Sequence, residues 1–201
     1  MTVMRLFWRR FHRVLTSDRD LWRSIPNALF FVTAGGWVPD WQNIDLTKHA
    51  MCSLIASGKT KQLGHKLRHD VVKWSSETDQ DIDVMGRGYK PFNDKSDGLA
   101  QYQYSVVIEN AQQANYFSEK LVDALLCKTV PIYWGCPNIA DFFDTRGMII
   151  CDNMAEVQRA VAQMSHEDYA ARLPALNAVR DVAAQYIDIY PRAAKTILAA
   201  Q

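Results

Sequence analysis

Short apolar runs alternate with longer amphipathic segments through the middle of the chain, from residue 50 to residue 165. The short runs have the length and the Val, Ile and Tyr content of buried strands, whereas the longer segments repeat apolar residues every three or four positions. This alternation predicts an α/β fold, in which a parallel sheet is covered by helices on both faces. The predicted strands are 51–56, 83–85, 104–108, 129–134 and 148–151, and the predicted helices are 62–74, 116–127 and 154–164.

The first 49 residues have a different pattern. Residues 4–15 mix Leu, Phe and Trp with four arginines, which predicts a basic amphipathic helix. Such a helix could make peripheral contact with an anionic membrane surface, or it could pack its apolar side on the domain and leave the arginines in water. A short helix over 19–24, capped by the Thr-Ser-Asp sequence at 16–18, and a buried strand over 28–33 are predicted to follow.

The end of the chain is predicted to be helical, over 167–190 with a kink at Pro174 and again over 193–199. The pattern therefore divides the chain into three predicted parts. These are an N-terminal basic helix with a short extension (1–49), an α/β domain (50–165) and C-terminal helices that pack on it (166–201).

Composition narrows the class of protein. The 201 residues are 48% hydrophobic and 22% charged, which is typical of a soluble globular protein. A formal net charge of +1 gives no reason to expect a nucleic acid partner. The four cysteines form no C-x-x-C pair, and no Cys/His cluster has the spacing of a zinc site, so we expect reduced, buried thiols in a cytoplasmic protein.

Polar residues cluster where the strand over 104–108 ends and the next helix begins. Glu109 and Asn110 follow the strand directly, and ligands of open parallel sheets bind beyond such strand ends. The start of the helix offers free N–H groups to a phosphate, and Ser118 or Asn115 is the candidate cap. Lys120 can bind a diphosphate. Glu119 can accept hydrogen bonds from a pair of sugar hydroxyls. Each residue also has an ordinary structural explanation, such as dipole compensation or a surface lysine, so the physical prediction is an anion site for a nucleotide.

Three sequence blocks extend this prediction. Residues 104–110 read YSVVIEN, residues 116–125 read YFSEKLVDAL and residues 129–139 read TVPIYWGCPNI. Together they resemble the signature of the alpha-1,3-fucosyltransferases, glycosyltransferase family 10, with Ser118 in place of the more common threonine. The positions that match the pattern are Glu109, Asn110, Tyr116, Ser118, Glu119, Lys120, Pro131, Gly135 and Pro137.

The resemblance implies a Rossmann-like domain that is one half of a GT-B architecture and binds GDP-fucose or a related GDP-sugar. It implies that Glu119 and Lys120 meet the ribose and the phosphates, together with Asn110, Tyr116 and Ser118. It also implies an arginine on an earlier helix that meets the diphosphate. Arg68 is the best candidate for that arginine, and Lys59 and Lys66 are competing cations. No metal or other cofactor is expected to be obligatory.

The resemblance further implies direct displacement with inversion at the anomeric carbon, by a hydroxyl of a glycan acceptor. That hydroxyl needs a general base, which the family takes from an N-terminal acceptor domain. Here the acids before residue 50 lie in no recognisable motif, and Glu109 is the candidate that remains; the acids are Asp18, Asp20, Asp40 and Asp45. Three explanations stay open: a minimal transferase, the donor domain of a larger or two-chain enzyme, or a catalytically idle module that binds a nucleotide sugar.

Overall fold

A computed structural model describes residues 2–200; Met1 and Gln201, the outer ends of the predicted terminal parts, lie outside the described residues. The strands are β1 (Val14–Thr16), β2 (Ala28–Phe30), β3 (Ala50–Ile55), β4 (Ile82–Met85), β5 (Tyr102–Ile108), β6 (Val130–Trp134) and β7 (Ile149–Ile150). The helices are α1 (Thr2–Phe7), α2 (Arg19–Ser24), α3 (Leu63–Glu77), α4 (Glu119–Leu126), α5 (Met154–Ala162), α6 (His166–Ala184) and α7 (Ile189–Leu198).

Five of these strands form one parallel sheet in the order β4-β3-β5-β6-β7. The chain leaves β3 for β4 on one side and then continues on the other side of β3 with β5. The connections therefore diverge at the carboxyl ends of β3 and β5, and such a switch point opens a crevice for a ligand. The predicted parallel sheet covered by helices is confirmed.

The core explains why β5 reads as a continuous apolar run. Its neighbours are β3 and β6, and helices pack above and below, so six of its seven residues, all except Gln103, are buried. Helices α3 and α5 pack together on one face, and α4 and α6 pack together on the other. A central parallel strand covered on both faces has no polar side to show, which is why alternation is absent from its sequence.

The N-terminal region differs from its prediction. The expected helix over 4–15 is only α1 and a short 3-10 helix over Trp8–Arg10, and the chain then extends into β1. Asn27 holds this change of direction, because its Nδ2 donates to the Phe11 carbonyl at 2.7 Å and its carbonyl accepts from Val14 N at 3.0 Å. Pairing with β2 therefore overrides the helical pattern.

The short strands β1 and β2 pair in parallel beside a small core of their own, formed by Val14, Leu21, Ile25 and Ala28. The residues that follow join the main core instead, since Val32, Ala34 and Val38 pack with the large sheet. Arg192 of α7 ties this segment down by donating to the carbonyls of Ala34 at 2.9 Å and Val32 at 2.8 Å.

Residues 166–198 are mostly helical, as predicted. Helix α6 continues through Pro174 and ends at Ala184 rather than near residue 190. All four cysteines are free and buried, as predicted. Within residues 2–200, no helix combines the length and the apolar character that crossing a bilayer needs.

Candidate functional site

A cavity of about 420 Å³ lies at the switch point, beyond the carboxyl ends of β3 and β5. The start of α4, one side of α3 and the loop after β4 complete its walls. Among the described residues that line it, five are lysine or arginine and one is a carboxylate: Lys59, Arg68, Arg87, Lys95 and Lys120 against Glu119. The cavity therefore has the charge that an anionic ligand requires.

The start of α4 is fixed by a hydrogen-bonded cluster under the cavity floor. Ser118 is the N-cap, with extended backbone, and the helix begins at Glu119 rather than at the predicted residue 116. The backbone N–H of Ser118 donates to Glu109 Oε1 at 2.8 Å, and its hydroxyl donates to Oε2 at 2.6 Å. Lys120 Nζ lies 3.1 Å from Ser118 Oγ and 3.8 Å from Glu109 Oε2. Three motif residues thus set the position of the helix start.

Glu109 is fully buried, with 0% exposure, and does not line the cavity. Burial raises the pKa of its carboxyl, against the opposing effects of Lys120 and the two hydrogen bonds from Ser118. Gly135 makes room for it, because a Cβ at that position would collide with the Glu109 side chain and the Tyr133 ring. The suggestion that Glu109 is the general base stays a prediction, and it requires this carboxylate to leave Ser118 and reach a substrate.

Glu119 and Lys120 face the cavity as a pair, with Lys120 Nζ 3.0 Å from Glu119 Oε1. Burial opposes ionisation of Glu119, but the charge and hydrogen bond of Lys120, with the charge of Lys95, outweigh it and lower its pKa. An ionised carboxylate beside a helix start can accept hydrogen bonds from two neighbouring hydroxyls. The ammonium beside it lines the same cavity, and its role in binding a phosphate stays a prediction.

Arg68 also reaches the cavity, although its side chain is largely buried in α3. Its Nη2 donates to Asn110 Oδ1 at 2.7 Å, while its Nε has no partner among the described residues. A buried donor without an acceptor is costly unless a ligand supplies one. Gly64 permits this approach, because its N–H donates to the Asn110 carbonyl at 3.1 Å and a Cβ would collide with the Glu109 carbonyl.

Of the remaining candidate residues, two line the cavity and one does not. Tyr116 and Lys59 line the cavity, with Lys59 at its exposed edge. Lys66, the competing cation on α3, is exposed and lies outside the lining. The structure therefore brings together Arg68, Asn110, Tyr116, Ser118, Glu119, Lys120 and Lys59 around one cavity, with Glu109 beneath it.

Sequence reasoning did not assign two of the residues that line the cavity to the site. Trp37 is 65% exposed at the cavity edge, and Lys95 Nζ lies 5.8 Å from the centre of its ring. Asp123 of α4 fixes the tryptophan by accepting from Trp37 N at 2.7 Å and from Val38 N at 3.3 Å. Burial lowers the pKa of Lys95, although Asp123 and Glu119 oppose the shift. The exposed tryptophan after two glycines was the signal in the sequence; nothing local marked Lys95.

The N-terminal acids stay away from the cavity. None of Asp18, Asp20, Asp40 and Asp45 is among the described residues that line it. Trp37 is the contribution of that region. Across residues 2–200, no three His, Cys, Asp or Glu side chains are grouped so that they could hold a metal ion.

Comparison with known proteins extends these observations. The family model described as glycosyltransferase family 10 (fucosyltransferase) C-term matches residues 44–171. The alpha-(1,3)-fucosyltransferase FucT of Helicobacter pylori is 34% identical over 74 residues, which make up 37% of this chain and 15% of that protein. The GDP-fucose protein O-fucosyltransferase 3 of Canis lupus familiaris is 34% identical over 74 residues, which make up 35% of this chain and 16% of that protein.

Two solved structures show the fold. A crystal structure of alpha1,3-fucosyltransferase with GDP-fucose has a TM-score of 0.52 at 24% identity, and the match covers 66% of this chain and 40% of that chain. The pneumococcal O-GlcNAc transferase GtfA, in complex with UDP and GlcNAc, has a TM-score of 0.58 at 14% identity, with 98% of this chain and 47% of that chain covered. The sheet and its helices are thus those of a GT-B glycosyltransferase domain.

The chain matches only a minor part of each relative, at most 47% of the two solved structures and 16% of the two curated proteins. The family match, in contrast, covers most of this chain and includes every cavity residue from Ile55 to Lys120. The chain belongs to glycosyltransferase family 10, the fucosyltransferases, as a protein that carries the C-terminal domain of that family.

Proposed function

We propose that this chain binds a GDP-sugar in the switch-point cavity and takes part in inverting transfer of fucose, or a related sugar, to a glycan hydroxyl. The observation that carries the proposal is the cavity itself, where five cationic side chains and a helix start face one carboxylate. A nucleoside diphosphate sugar needs that combination, since its phosphates are anionic and its sugars present paired hydroxyls.

The diphosphate is assigned to the floor, between the start of α4 and Arg68. Lys120 offers a charge-assisted hydrogen bond, the start of α4 offers the positive end of the helix dipole, and the Arg68 Nε lacks a partner among the described residues. Direct displacement releases GDP as the leaving group. These groups stabilise the negative charge that develops on it in the transition state.

The nucleoside is assigned to the wall next to Glu119. Its ionised carboxylate accepts hydrogen bonds from the ribose hydroxyls, and Trp37 and Lys95 follow it along the same wall. An exposed indole gives a stacking surface for a flat base. The Lys95 ammonium, which lies over the Trp37 ring, can donate to O6 and N7 of guanine, which present two acceptors on one side of the base. This arrangement favours guanine over a pyrimidine base.

Glu109 is assigned a positioning role in this proposal. Its two oxygens accept from Ser118 and hold the helix start where Glu119 and Lys120 face the ligand. Changing Glu109→Gln should then weaken GDP binding as well as turnover, because one hydrogen bond to Ser118 and the charge facing Lys120 are lost. If instead GDP affinity is unchanged while turnover disappears, Glu109 is the catalytic base.

Release of GDP from GDP-fucose tests the proposal, measured with and without fucosylatable oligosaccharide acceptors. Acceptor-stimulated GDP release and a fucosylated product support transfer by this chain. Tight GDP-fucose binding without release or transfer identifies a nucleotide-sugar-binding module that needs a partner acceptor domain. No binding of any GDP-sugar overturns the proposal.

A further inference from the structure

The N-terminal surface carries an unusual patch, which we call the basic-aromatic patch and define as residues 3–11. Its nine residues read VMRLFWRRF, so every position is apolar or arginine. Four of the apolar side chains point into solvent: Leu6 is 73% exposed, Val3 66%, Phe11 49% and Phe7 42%. Exposed apolar groups concentrated in so short a segment mark an interaction surface more often than chance scatter does.

The apolar residues of the patch face two directions. Met4 and Trp8 pack against the small core beside β1 and β2, and so they attach the patch to the protein. The four exposed side chains have no such role. The expectation that the apolar side packs on the domain is therefore met by two residues only, and the rest of the apolar surface remains uncovered in the described chain.

Charge identifies what fits this surface. Arg5, Arg9 and Arg10 are exposed among the apolar side chains, and no acidic residue occurs before Asp18. The Arg10 guanidinium lies 5.0 Å from the centre of the Phe7 ring, so that charge and aromatic surface adjoin. A shallow crevice of about 270 Å³ runs between Val3, Met4, Phe7, Arg10 and Phe11.

We propose that the basic-aromatic patch docks on an anionic lipid surface, with the apolar side chains inserted at the headgroup boundary and the arginines on lipid phosphates. Surfaces that present Phe and Leu beside arginines bind anionic membranes through buried apolar area together with attraction to the lipid charge. The exposed arginines and the lack of any acidic residue before Asp18 complement an anionic lipid surface. An acidic protein is the competing occupant, and the experiment below distinguishes the two.

The segment that follows the patch is hydrogen-bonded to the loop before α4. Asn115, in the loop before α4, donates through Nδ2 to the Ser17 carbonyl at 3.2 Å, directly after β1. Asn115 also exchanges hydrogen bonds with Asn138, at 2.8 Å to its own N–H and 2.9 Å to its Oδ1. Docking through the patch would therefore hold the transferase domain next to the lipid surface.

Co-sedimentation with vesicles tests the inference, with phosphatidylcholine vesicles compared to vesicles that also contain phosphatidylglycerol. The full chain should bind the anionic vesicles strongly and the neutral ones weakly, and added salt should weaken the binding. The double variant Arg9→Gln with Arg10→Gln should lose roughly 25-fold in partitioning, at about five-fold for each arginine. The variant Leu6→Ala with Phe11→Ala should lose roughly ten-fold or more, because less apolar surface inserts.

Leu63→Ala with Lys66→Gln is the matched control, since both residues are exposed on α3, away from the patch. It should bind like the wild type, and circular dichroism should show all variants folded. Equal partitioning of the patch variants and the wild type would overturn the inference. So would a wild-type chain that ignores anionic vesicles, and patch-dependent self-association in sedimentation velocity would then assign the surface to a protein contact.

Discussion

The large sheet and the N-terminal unit of β1, β2 and α2 are built on different scales. The sheet has two helical layers and a continuous core that includes the fully buried Leu121, Leu125 and Ile132. The N-terminal unit buries four apolar residues beside two paired strands of three residues each. The first has a core of the size that a domain needs, to which Val32, Ala34 and Val38 also contribute, whereas the second buries too little apolar surface to be stable alone.

The same contrast holds for chemistry. The helices and loops after residue 50 supply all the cations among the described cavity residues and the carboxylate, while the region before residue 50 supplies Trp37. The side chains proposed to bind the phosphates and the ribose are therefore concentrated in the family-matched domain. The N-terminal region shapes one wall of the cavity and carries the basic-aromatic patch.

The largest difference between the two regions is expected in how much the free energy of unfolding falls when a core residue is replaced. Leu125→Ala in α4 removes a fully buried side chain from a rigid core, and we expect a loss of about 3–5 kcal/mol in the free energy of unfolding. Leu21→Ala should cost about 2 kcal/mol, since Met4 and Trp8 can settle into the space. Urea denaturation measures both, and equal losses would contradict the contrast.

Lys120→Ala should have the largest effect on ligand binding. It removes a charge-assisted hydrogen bond to a phosphate, which is worth about 1.5–3 kcal/mol, or roughly 10- to 100-fold in GDP affinity. Lys66→Ala is the matched control, because that lysine is exposed outside the cavity. Titration calorimetry distinguishes them, and unchanged GDP affinity in Lys120→Ala would remove this residue from the site.

Trp37→Ala tests what the N-terminal region contributes to ligand binding in the cavity. Loss of a stacking surface should weaken GDP binding by about ten-fold and leave UDP binding, already weak, nearly unchanged. Trp22→Ala is the control, because Trp22 is partly exposed but packs on Phe30, outside the cavity. A GDP affinity that drops equally in both variants would indicate general destabilisation instead of a contact with the base.

A smaller effect is expected from pH. Lys95 must be charged to donate to guanine, and burial lowers its pKa in the free protein. The charged fraction therefore falls as the pH rises through this lowered pKa, and GDP affinity should fall by a few-fold over that range. Lys95→Met should bind GDP more weakly and lose this part of the pH dependence; an unchanged pH profile would exclude the lysine.

Local sequence patterns were enough to predict most of the fold and some of the residues that line the cavity. The polar cluster between β5 and α4 was predictable because Glu109, Ser118 and Lys120 lie within twelve residues, where a motif and a helix cap indicate the local structure. Arg68 was reachable only through resemblance, since 42 residues separate it from its partner Asn110. Nothing local in the sequence marks Lys95. Trp37 is marked only by its position after two glycines, because the Asp123 carboxylate that places it lies 86 residues away.

The predicted ends of helices are wrong where side chains hydrogen-bond to the backbone and fix the end elsewhere. The start of α4 is at Glu119, since Ser118 adopts the extended conformation of a cap instead of continuing a helix from residue 116. The helix expected over residues 4–15 ends early, since Asn27 binds the carbonyl of Phe11 and Val14 joins a strand. In both cases a side chain that satisfies backbone groups outweighs apolar periodicity.

Titration of GDP into the wild-type chain and into Lys120→Ala with Arg68→Ala tests the central claim most directly. The account predicts one binding site in the wild type, GDP preferred over UDP, and loss of most of the affinity in the double variant while circular dichroism stays unchanged. A wild-type chain that binds no guanine nucleotide, or a double variant that binds GDP as tightly as the wild type, would contradict the assignment of this cavity as the donor site.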